Sequence, residues 1–148
     1  MADIQRGKVL AVNISEKKGT RKTNVRVCAV LKDSGLKDDA HAGPWHRQVS
    51  LLANESIEKM KAMGLDAGYG DFAENITTEG VDLVHLPIGT TIRIGDSVTL
   101  RVTQIGKVCH ERCAIYYQAG DCVMPKEGIF AEVVTEGDVK VGDEIAVS

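Results

Sequence analysis

The chain has 148 residues, of which 43% are apolar and 26% charged, with a formal net charge of -3, so we expect one domain over residues 1–148 with its own core and no nucleic-acid partner. The amino-terminal residues MADIQRGKVL lack the apolar core of a signal peptide, and no apolar run approaches the roughly 20 residues that cross a bilayer. We therefore expect a cytoplasmic protein without a membrane segment, whose cysteines stay reduced.

Short runs of alternating apolar and polar residues, separated by glycine-containing turns, predict a mainly β protein. The predicted strands are Lys8–Ile14, Val25–Leu31, Gln48–Leu52, Thr91–Ile94, Ser97–Gln104, Ile129–Val134 and Glu144–Val147. Turns are predicted at Gly95-Asp96, Gly137-Asp138 and Gly142-Asp143, and the first of them joins two strands into a hairpin over residues 91–104. Many short strands at regular spacing favour a closed barrel over an open sheet.

Two helices are predicted between the strands. Asn54 can cap the first, Glu55 and Glu58 suit its first turn, and Gly64 can end it. A second, weaker helix is predicted from about Cys109 towards Gln118. The predicted fold is a closed, mainly β barrel with a few short helices, and its longer connections at 33–47, 64–80 and 105–128 are the places where we expect function.

Three of the four cysteines lie close together, at Cys109, Cys113 and Cys122. A thiolate is a nucleophile, a ligand of soft metals and a carrier of sulfur. In a helix, Cys109 and Cys113 would share one face, and the charge of Arg112 would favour the thiolate. Such a pair can bind a metal, carry a persulfide or act as a redox couple. The alternative is two small apolar side chains in a core.

The same segment allows a structural zinc site in which Cys109, Cys113 and Cys122 are joined by His110. The spacing C-x3-C-x8-C matches no common zinc finger or ribbon. The fourth cysteine, Cys28, lies in a predicted strand and is expected to be structural.

A second polar patch surrounds the only tryptophan, Trp45. Arg47 can bind a phosphate through two parallel hydrogen bonds, and His41 and His46 can donate hydrogen bonds or ligate. A buried aromatic residue beside several donors often lines a ligand pocket. The alternative is a polar loop that Trp45 merely anchors.

Two weaker patches contain further candidates. Arg21 and Lys22 end a short basic turn that can help to hold an anion beside Arg47. The segment Gly70–Gly80 contains Glu74 and Asn75 and, taken alone, is interpreted as a turn. It matches neither a phosphate-binding loop nor a dinucleotide fingerprint.

Together, these patches resemble the MOSC domain, the family named after the carboxyl-terminal domain of molybdenum cofactor sulfurase. The matching segments follow the family order and are Gly7-Lys8-Val9, Lys18-Gly19-Thr20-Arg21-Lys22, Asp39-Ala40-His41-Ala42-Gly43, Arg47-Gln48-Val49-Ser50-Leu51-Leu52, Phe72-Ala73-Glu74-Asn75-Ile76, Leu86-Pro87-Ile88-Gly89, Ile94-Gly95-Asp96 and Val102-Thr103-Gln104. Each segment is weak alone, whereas their order and spacing are specific.

The resemblance implies a site for the molybdenum cofactor, a molybdopterin that carries a phosphate. It also implies that a late cysteine ligates molybdenum or carries a persulfide, and Cys113 and Cys109 are the two candidates. The residues expected to bind the cofactor are Arg21, Lys22, His41, Arg47, Glu74, Asn75 and Arg112. Of these, Arg47, Arg21 and Lys22 would neutralise the phosphate, and Glu74 and Asn75 would bond the pterin edge.

The leading hypothesis is therefore a binding or carrier domain for the molybdenum cofactor or its sulfur, with a sulfur donor or an electron-transfer protein as partner. The second is a molybdenum-dependent reductase of N-hydroxylated compounds that needs external electron donors, and the third is the structural zinc protein. The chain lacks the aminotransferase-like domain of the sulfurases, so we do not expect it to mobilise sulfur from free cysteine alone.

Overall fold

The computed structural model describes residues 5–17, 21–62, 64, 68–106 and 128–147. The strands are β1 (Gln5–Ile14), β2 (Thr23–Asn24), β3 (Val27–Leu31), β4 (Gly35–Leu36), β5 (Val49–Ala53), β6 (Ile76–Glu79), β7 (Thr91–Ile94), β8 (Val98–Ile105), β9 (Ile129–Thr135), β10 (Gly137–Lys140) and β11 (Glu144–Val147). One α-helix, α1, spans Asn54–Ala62, and a 3-10 turn spans Leu83–His85.

Seven strands form a closed barrel in the order β11-β7-β8-β9-β5-β6-β1, and β1 pairs back with β11. Strand β1 can contact both neighbours because it is long: residues 5–8 pair with β11, and residues 8–12 pair with β6 across a bulge between Val9 and Ala11. Its last residues pair with β2. The pairing of β5 with β6 is parallel, and parallel neighbours need a crossover connection. The connection from β5 to β6 includes α1.

The barrel core follows the alternation of the sequence. Ile92 and Ile94 are buried in β7 while Arg93 between them is exposed, and Leu100 and Val102 are buried in β8 on either side of exposed Arg101. Strand β5 is buried along its whole length, and α1 contacts both β5 and β6. The inward side chains therefore form one continuous apolar core.

A second, three-stranded sheet has the order β10-β3-β4. The predicted turn at Gly137-Asp138 is wrong, because both residues belong to β10. This strand pairs with β3, where Val139 lies opposite Cys28 and is fully buried. The burial of Val139 against the core explains why these residues extend instead of turning.

The interpretation of residues 70–80 as a turn is wrong for Ile76–Glu79, which form β6. This strand was missed because its central residues, Thr77 and Thr78, are polar yet fully buried. The seven predicted strands are confirmed with small shifts at their ends, as is the β7–β8 hairpin.

The predicted helix at residues 54–64 is confirmed as α1, whereas the second predicted helix, from Cys109 towards Gln118, lies outside the described residues. The fold is thus a mainly β, closed barrel with one helix and a 3-10 turn in its described part. Within those residues, we find no helix of the length and apolarity that a membrane crossing requires.

Candidate functional site

A buried ion pair joins the basic turn to the histidine-containing loop. Lys22 Nζ lies 2.7 Å from Asp39 Oδ1, and neither side chain is exposed. The same ammonium lies 3.0 Å from Ser15 Oγ and 3.0 Å from His41 Nδ1. Asp39 also accepts hydrogen bonds from the backbone N–H groups of Ser15 and His41. One ion pair therefore fixes the end of β1, residues 21–22 and residues 39–41 relative to one another.

The carboxyl of Asp39 is held in its ionised form. Burial raises its pKa, but the hydrogen bond and the charge of Lys22, with further bonds from Asn75 and from the backbone of Ser15, bring the pKa below its ordinary value. The charge of Lys22 is thus matched inside the protein. Any role of Lys22 in binding a phosphate stays a prediction, and Arg21 beside it is exposed.

The loop before β6 packs directly on Lys22. Lys22 N donates a hydrogen bond to Gly70 O over 2.8 Å. Gly70 has a φ of +85°, and a Cβ at this position would lie 2.2 Å from Lys22 O. Glycine is therefore required both for the left-handed backbone conformation and for this close approach.

The predicted cofactor ligand Glu74 is fully buried in the loop before β6. Thr77 Oγ1 donates to its Oε2 over 2.7 Å, and Phe72 N donates to its Oε1 over 3.3 Å. Burial raises the pKa of Glu74 above its ordinary value, although the hydrogen bonds from Thr77 and from nearby backbone N–H groups oppose this rise.

Asn75 is equally buried and ties three strands together. Its Oδ1 accepts hydrogen bonds from the backbone N–H of Ser50, over 2.9 Å, and from Ser50 Oγ, over 3.1 Å. Its Nδ2 donates to Asn13 O over 3.1 Å. Glu74 and Asn75 are both fully buried and bonded to protein groups, and their predicted contact with the cofactor stays a prediction.

A second cluster lies where β8 ends. Arg47 Nε donates to Gln104 Oε1 over 3.1 Å, and His46 Nε2 lies 2.9 Å from the same oxygen. The guanidinium carbon of Arg47 lies 5.3 Å from the centre of the Phe130 ring and 5.9 Å from that of Trp45. The side-chain oxygen of Gln104 and two aromatic rings thus hold a half-buried cation in place.

The same glutamine is linked by hydrogen bonds to Gly106 and, through it, to Gly128, the two described residues that flank the cysteine-containing segment. Gln104 Nε2 donates to Gly106 O over 2.7 Å, and Gly106 N donates to Gly128 O over 2.6 Å. Residues 107–127, which join these two glycines, lie outside the described residues. The predicted roles of Cys109, Cys113, Cys122, His110 and Arg112 therefore stay predictions, as does the zinc alternative.

Two further observations concern metal ligands and Cys28. No group of three histidine, cysteine or acidic residues that could hold a metal ion occurs where the structure describes the chain. Cys28 lies in β3, half-buried, with Sγ 3.5 Å from Lys37 O. Burial raises the pKa of its thiol, and the interaction with the Lys37 backbone opposes this only in part. These contacts are consistent with the structural role expected for Cys28.

The structure thus brings Lys22 and His41 into direct contact, and Asn75 gives a hydrogen bond to Asp39, the partner of Lys22. Sequence reasoning did not include Asp39 or Gln104 among the site residues. Asp39 stands beside a predicted ligand, but nothing in the local sequence indicates that it pairs with a lysine seventeen positions earlier. Gln104 was recognised only as part of a predicted strand and of the segment Val102-Thr103-Gln104 that resembles the family.

The fold is shared with solved structures of other proteins. The chain is similar to the YuaD protein from Bacillus subtilis, with a TM-score of 0.82 and 18% identity over 99% of this chain and 98% of that one. It is also similar to YiiM from Geobacillus stearothermophilus, with a TM-score of 0.72 and 19% identity over 96% of this chain and 75% of that one. For YiiM from Escherichia coli the TM-score is 0.67 and the identity 19%, over 97% and 69% of the two chains.

A comparison with curated protein sequences gives no match. The sequence profile of the MOSC domain matches residues 38–146. This match covers more than half of the chain and includes β5 to β10, α1 and the loop that contains His41 and Arg47. The chain therefore belongs to the MOSC domain family.

Proposed function

We propose that this protein is a binding or carrier domain for the molybdenum cofactor or its sulfur, and that Cys113 or Cys109 supplies the thiolate. Membership of the MOSC family supports the cofactor. The observation that carries the proposal is the position of Arg47, which is anchored to Gln104, and Gln104 in turn bonds Gly106, the last described residue before the cysteine-containing segment.

Arg47 has the properties of a phosphate ligand. Its guanidinium is half-buried and oriented by Gln104, and no carboxylate of the described residues lies within ion-pair distance of it. An oriented guanidinium can give an anion two parallel hydrogen bonds, and less side-chain entropy is lost because its fork is rigid. These residues therefore fit a cofactor that carries a phosphate.

The cysteine-containing segment begins and ends beside this cation. Gly106 and Gly128 are joined by a backbone hydrogen bond, so both ends of residues 107–127 start from the edge of the barrel at which Gln104 and Arg47 lie. When bound, the cofactor would supply a soft metal centre for which a thiolate is a suitable ligand. Arg112, in the same segment, would add positive charge.

The remaining candidates divide into two groups by their surroundings. Arg21 is exposed and His41 is partly exposed, so both are proposed to contact the cofactor. Lys22, Glu74 and Asn75 are buried and bonded to protein groups. We propose that their main contribution is to hold the surrounding loops in place.

The test is metal and pterin analysis of protein produced in a host that makes the molybdenum cofactor. Wild type would be compared with Cys113→Ser, Cys109→Ser and Cys122→Ser, and with Cys28→Ser, in β3 of the three-stranded sheet, as the matched control. Loss of molybdenum and pterin in the Cys113 or Cys109 variant alone would identify the ligand. Wild type that contains neither molybdenum nor pterin would overturn cofactor binding.

The same samples distinguish the other functions. A mass adduct of sulfane sulfur that is present in wild type and absent from Cys113→Ser or Cys109→Ser would support the carrier function without bound cofactor. Reduction of an N-hydroxylated compound by loaded protein with external electron donors would add the reductase activity. If the protein contains one zinc ion per chain and unfolds when the zinc is chelated, the structural zinc protein would replace both the carrier and the reductase function.

A further inference from the structure

We propose that Lys22 and Asp39 are positioning residues that hold His41 as a neutral imidazole with its proton on Nε2. His41 would then act as a fixed hydrogen-bond donor to an oxygen atom of the bound cofactor. The inference about the histidine stands on geometry alone, whereas its use in binding rests on the function proposed above.

The protonation state follows from the donor that faces Nδ1. Lys22 Nζ lies 3.0 Å from His41 Nδ1, and the ammonium of a buried ion pair has only protons to offer. Nδ1 must therefore accept this hydrogen bond through its lone pair. A neutral imidazole that accepts at one nitrogen has its proton on the other, so the proton is on Nε2. An imidazolium would direct an N–H at the ammonium.

Asp39 does not compete with Lys22 for a hydrogen bond to His41 Nδ1. Its Oδ2 lies 3.9 Å from His41 Nδ1, which is beyond hydrogen-bond distance, and accepts from the backbone N–H of His41 over 3.1 Å. Its Oδ1 accepts from Lys22 Nζ and from Ser15 N. Asp39 therefore fixes the backbone of His41 and the ammonium that bonds the ring, while Lys22 fixes the ring itself.

The ring is held at the boundary between the interior and solvent. The side chain of His41 is 23% exposed, whereas those of Lys22 and Asp39 are fully buried. Trp45 Nε1 donates to His41 O over 2.8 Å and fixes the loop from a further side. The nitrogen that faces the buried ammonium is Nδ1, so the proposed contact with the cofactor is made by Nε2, on the other side of the ring.

The first test is long-range nitrogen–proton NMR of the histidine side chains in the ligand-free wild type near neutral pH, with His41 assigned from a His41→Gln variant. We expect one neutral form with Nδ1 unprotonated. Lys22→Met should release the ring into tautomer exchange or protonation, and Ser15→Ala, which leaves the lysine–histidine contact in place, should not. An imidazolium or a proton on Nδ1 in the wild type would overturn the inference, even if Lys22→Met does not fold.

The second test addresses binding. The side-chain nitrogen of glutamine can take the place of Nε2, whereas that of asparagine corresponds to Nδ1. His41→Gln should therefore retain the molybdenum cofactor at least about ten times better than His41→Asn, a difference of one hydrogen bond. Equal retention by the two variants would overturn the donor role of His41. Wild type without cofactor would overturn the proposed function and leave the NMR result standing.

Discussion

Lys22 and Asp39 form a fully buried ion pair with Nζ 2.7 Å from Oδ1. The pair connects two loops that are seventeen residues apart in the sequence. Because removing two charges from water is costly, a buried pair adds little net stability, but the loss of one partner leaves an uncompensated charge inside the protein. The pair therefore specifies how the loops are arranged around His41.

Asp39→Ala should lower the free energy of unfolding by about 3–5 kcal/mol, because it leaves Lys22 buried without a partner. The double variant Lys22→Met with Asp39→Leu should lose less, since it removes both charges. Urea unfolding measures both effects. The control is Arg6→Ala, which breaks the exposed Arg6–Glu144 pair and should cost less than about 1 kcal/mol. Equal losses in Asp39→Ala and Arg6→Ala would contradict the prediction.

The lowered pKa of Asp39 predicts a loss of stability in acid. Burial raises this pKa, but the hydrogen bond and charge of Lys22 bring it below its ordinary value of 3.8. The stabilisation is therefore complete above the ordinary value and is lost as the pH falls through the lower folded value. The stability advantage of the wild type over Asp39→Asn should shrink between about pH 5 and about pH 2. A constant difference in the free energy of unfolding over this range would refute the prediction.

The parts of the fold that the sequence predicts are those with a simple apolar period. Strands β7 and β8 alternate buried and exposed residues, so their hairpin and its turn were predicted correctly. Strand β6 was missed because its buried positions contain the polar residues Thr77 and Thr78, which do not resemble the apolar positions of a buried strand. Strand β10 was missed because its glycine and aspartate resemble a turn, and only pairing with β3 makes it extended.

The candidate site was predictable to a similar degree. Residues such as His41 and Arg47 stand out because cationic and imidazole side chains are concentrated in a loop around a tryptophan. Their partners Asp39 and Gln104 did not stand out, since a contact between residues 22 and 39, or 47 and 104, depends on the closure of the barrel. Whether a side chain such as Glu74 faces a ligand or the interior also depends on tertiary packing.

Gly70→Ala should be more destabilising than a glycine substitution at another left-handed position. Gly89 has a φ of +94° and nothing within 4 Å of a new Cβ, so Gly89→Ala should cost only backbone strain, about 1–3 kcal/mol. In Gly70→Ala the Cβ would also meet Lys22 O at 2.2 Å. This contact should also displace the hydrogen bond from Lys22 N to Gly70 O, which should lower the free energy of unfolding by a further amount of about 1–3 kcal/mol. Thermal unfolding of both variants measures the two losses of stability, and equal losses would contradict the prediction.

Glu74 predicts a pH dependence of the opposite sign. Burial raises its pKa above the ordinary value of 4.5, and the bonds from Thr77 and the backbone offset this only in part. Its favourable contribution is thus present below the ordinary value and is lost as the pH rises through the higher folded value. Glu74→Gln cannot ionise, so its stability relative to wild type should improve from about pH 4 to about pH 8. A difference that stays constant over this range would show that burial does not perturb Glu74.

Arg47→Ala tests the proposed phosphate contact directly. The loss of a charged hydrogen bond should weaken cofactor retention by an amount on the order of 1.5–3 kcal/mol, which corresponds to roughly ten- to hundredfold. Arg47→Lys keeps the charge but loses the bond to Gln104 and the planar fork, so it should lie between wild type and Arg47→Ala. The measurement is molybdenum and pterin per protein chain after dialysis.

The matched control is Arg101→Ala, which removes an exposed arginine bonded to Glu132 from the neighbouring part of β8. It should retain the cofactor as the wild type does. Because Arg47 also packs against Phe130 and Trp45, the unfolding midpoint of each variant has to be measured beside its cofactor content. Cofactor retention equal to wild type in a folded Arg47→Ala protein would remove Arg47 from the site and with it the main structural support for a phosphate at this edge of the barrel.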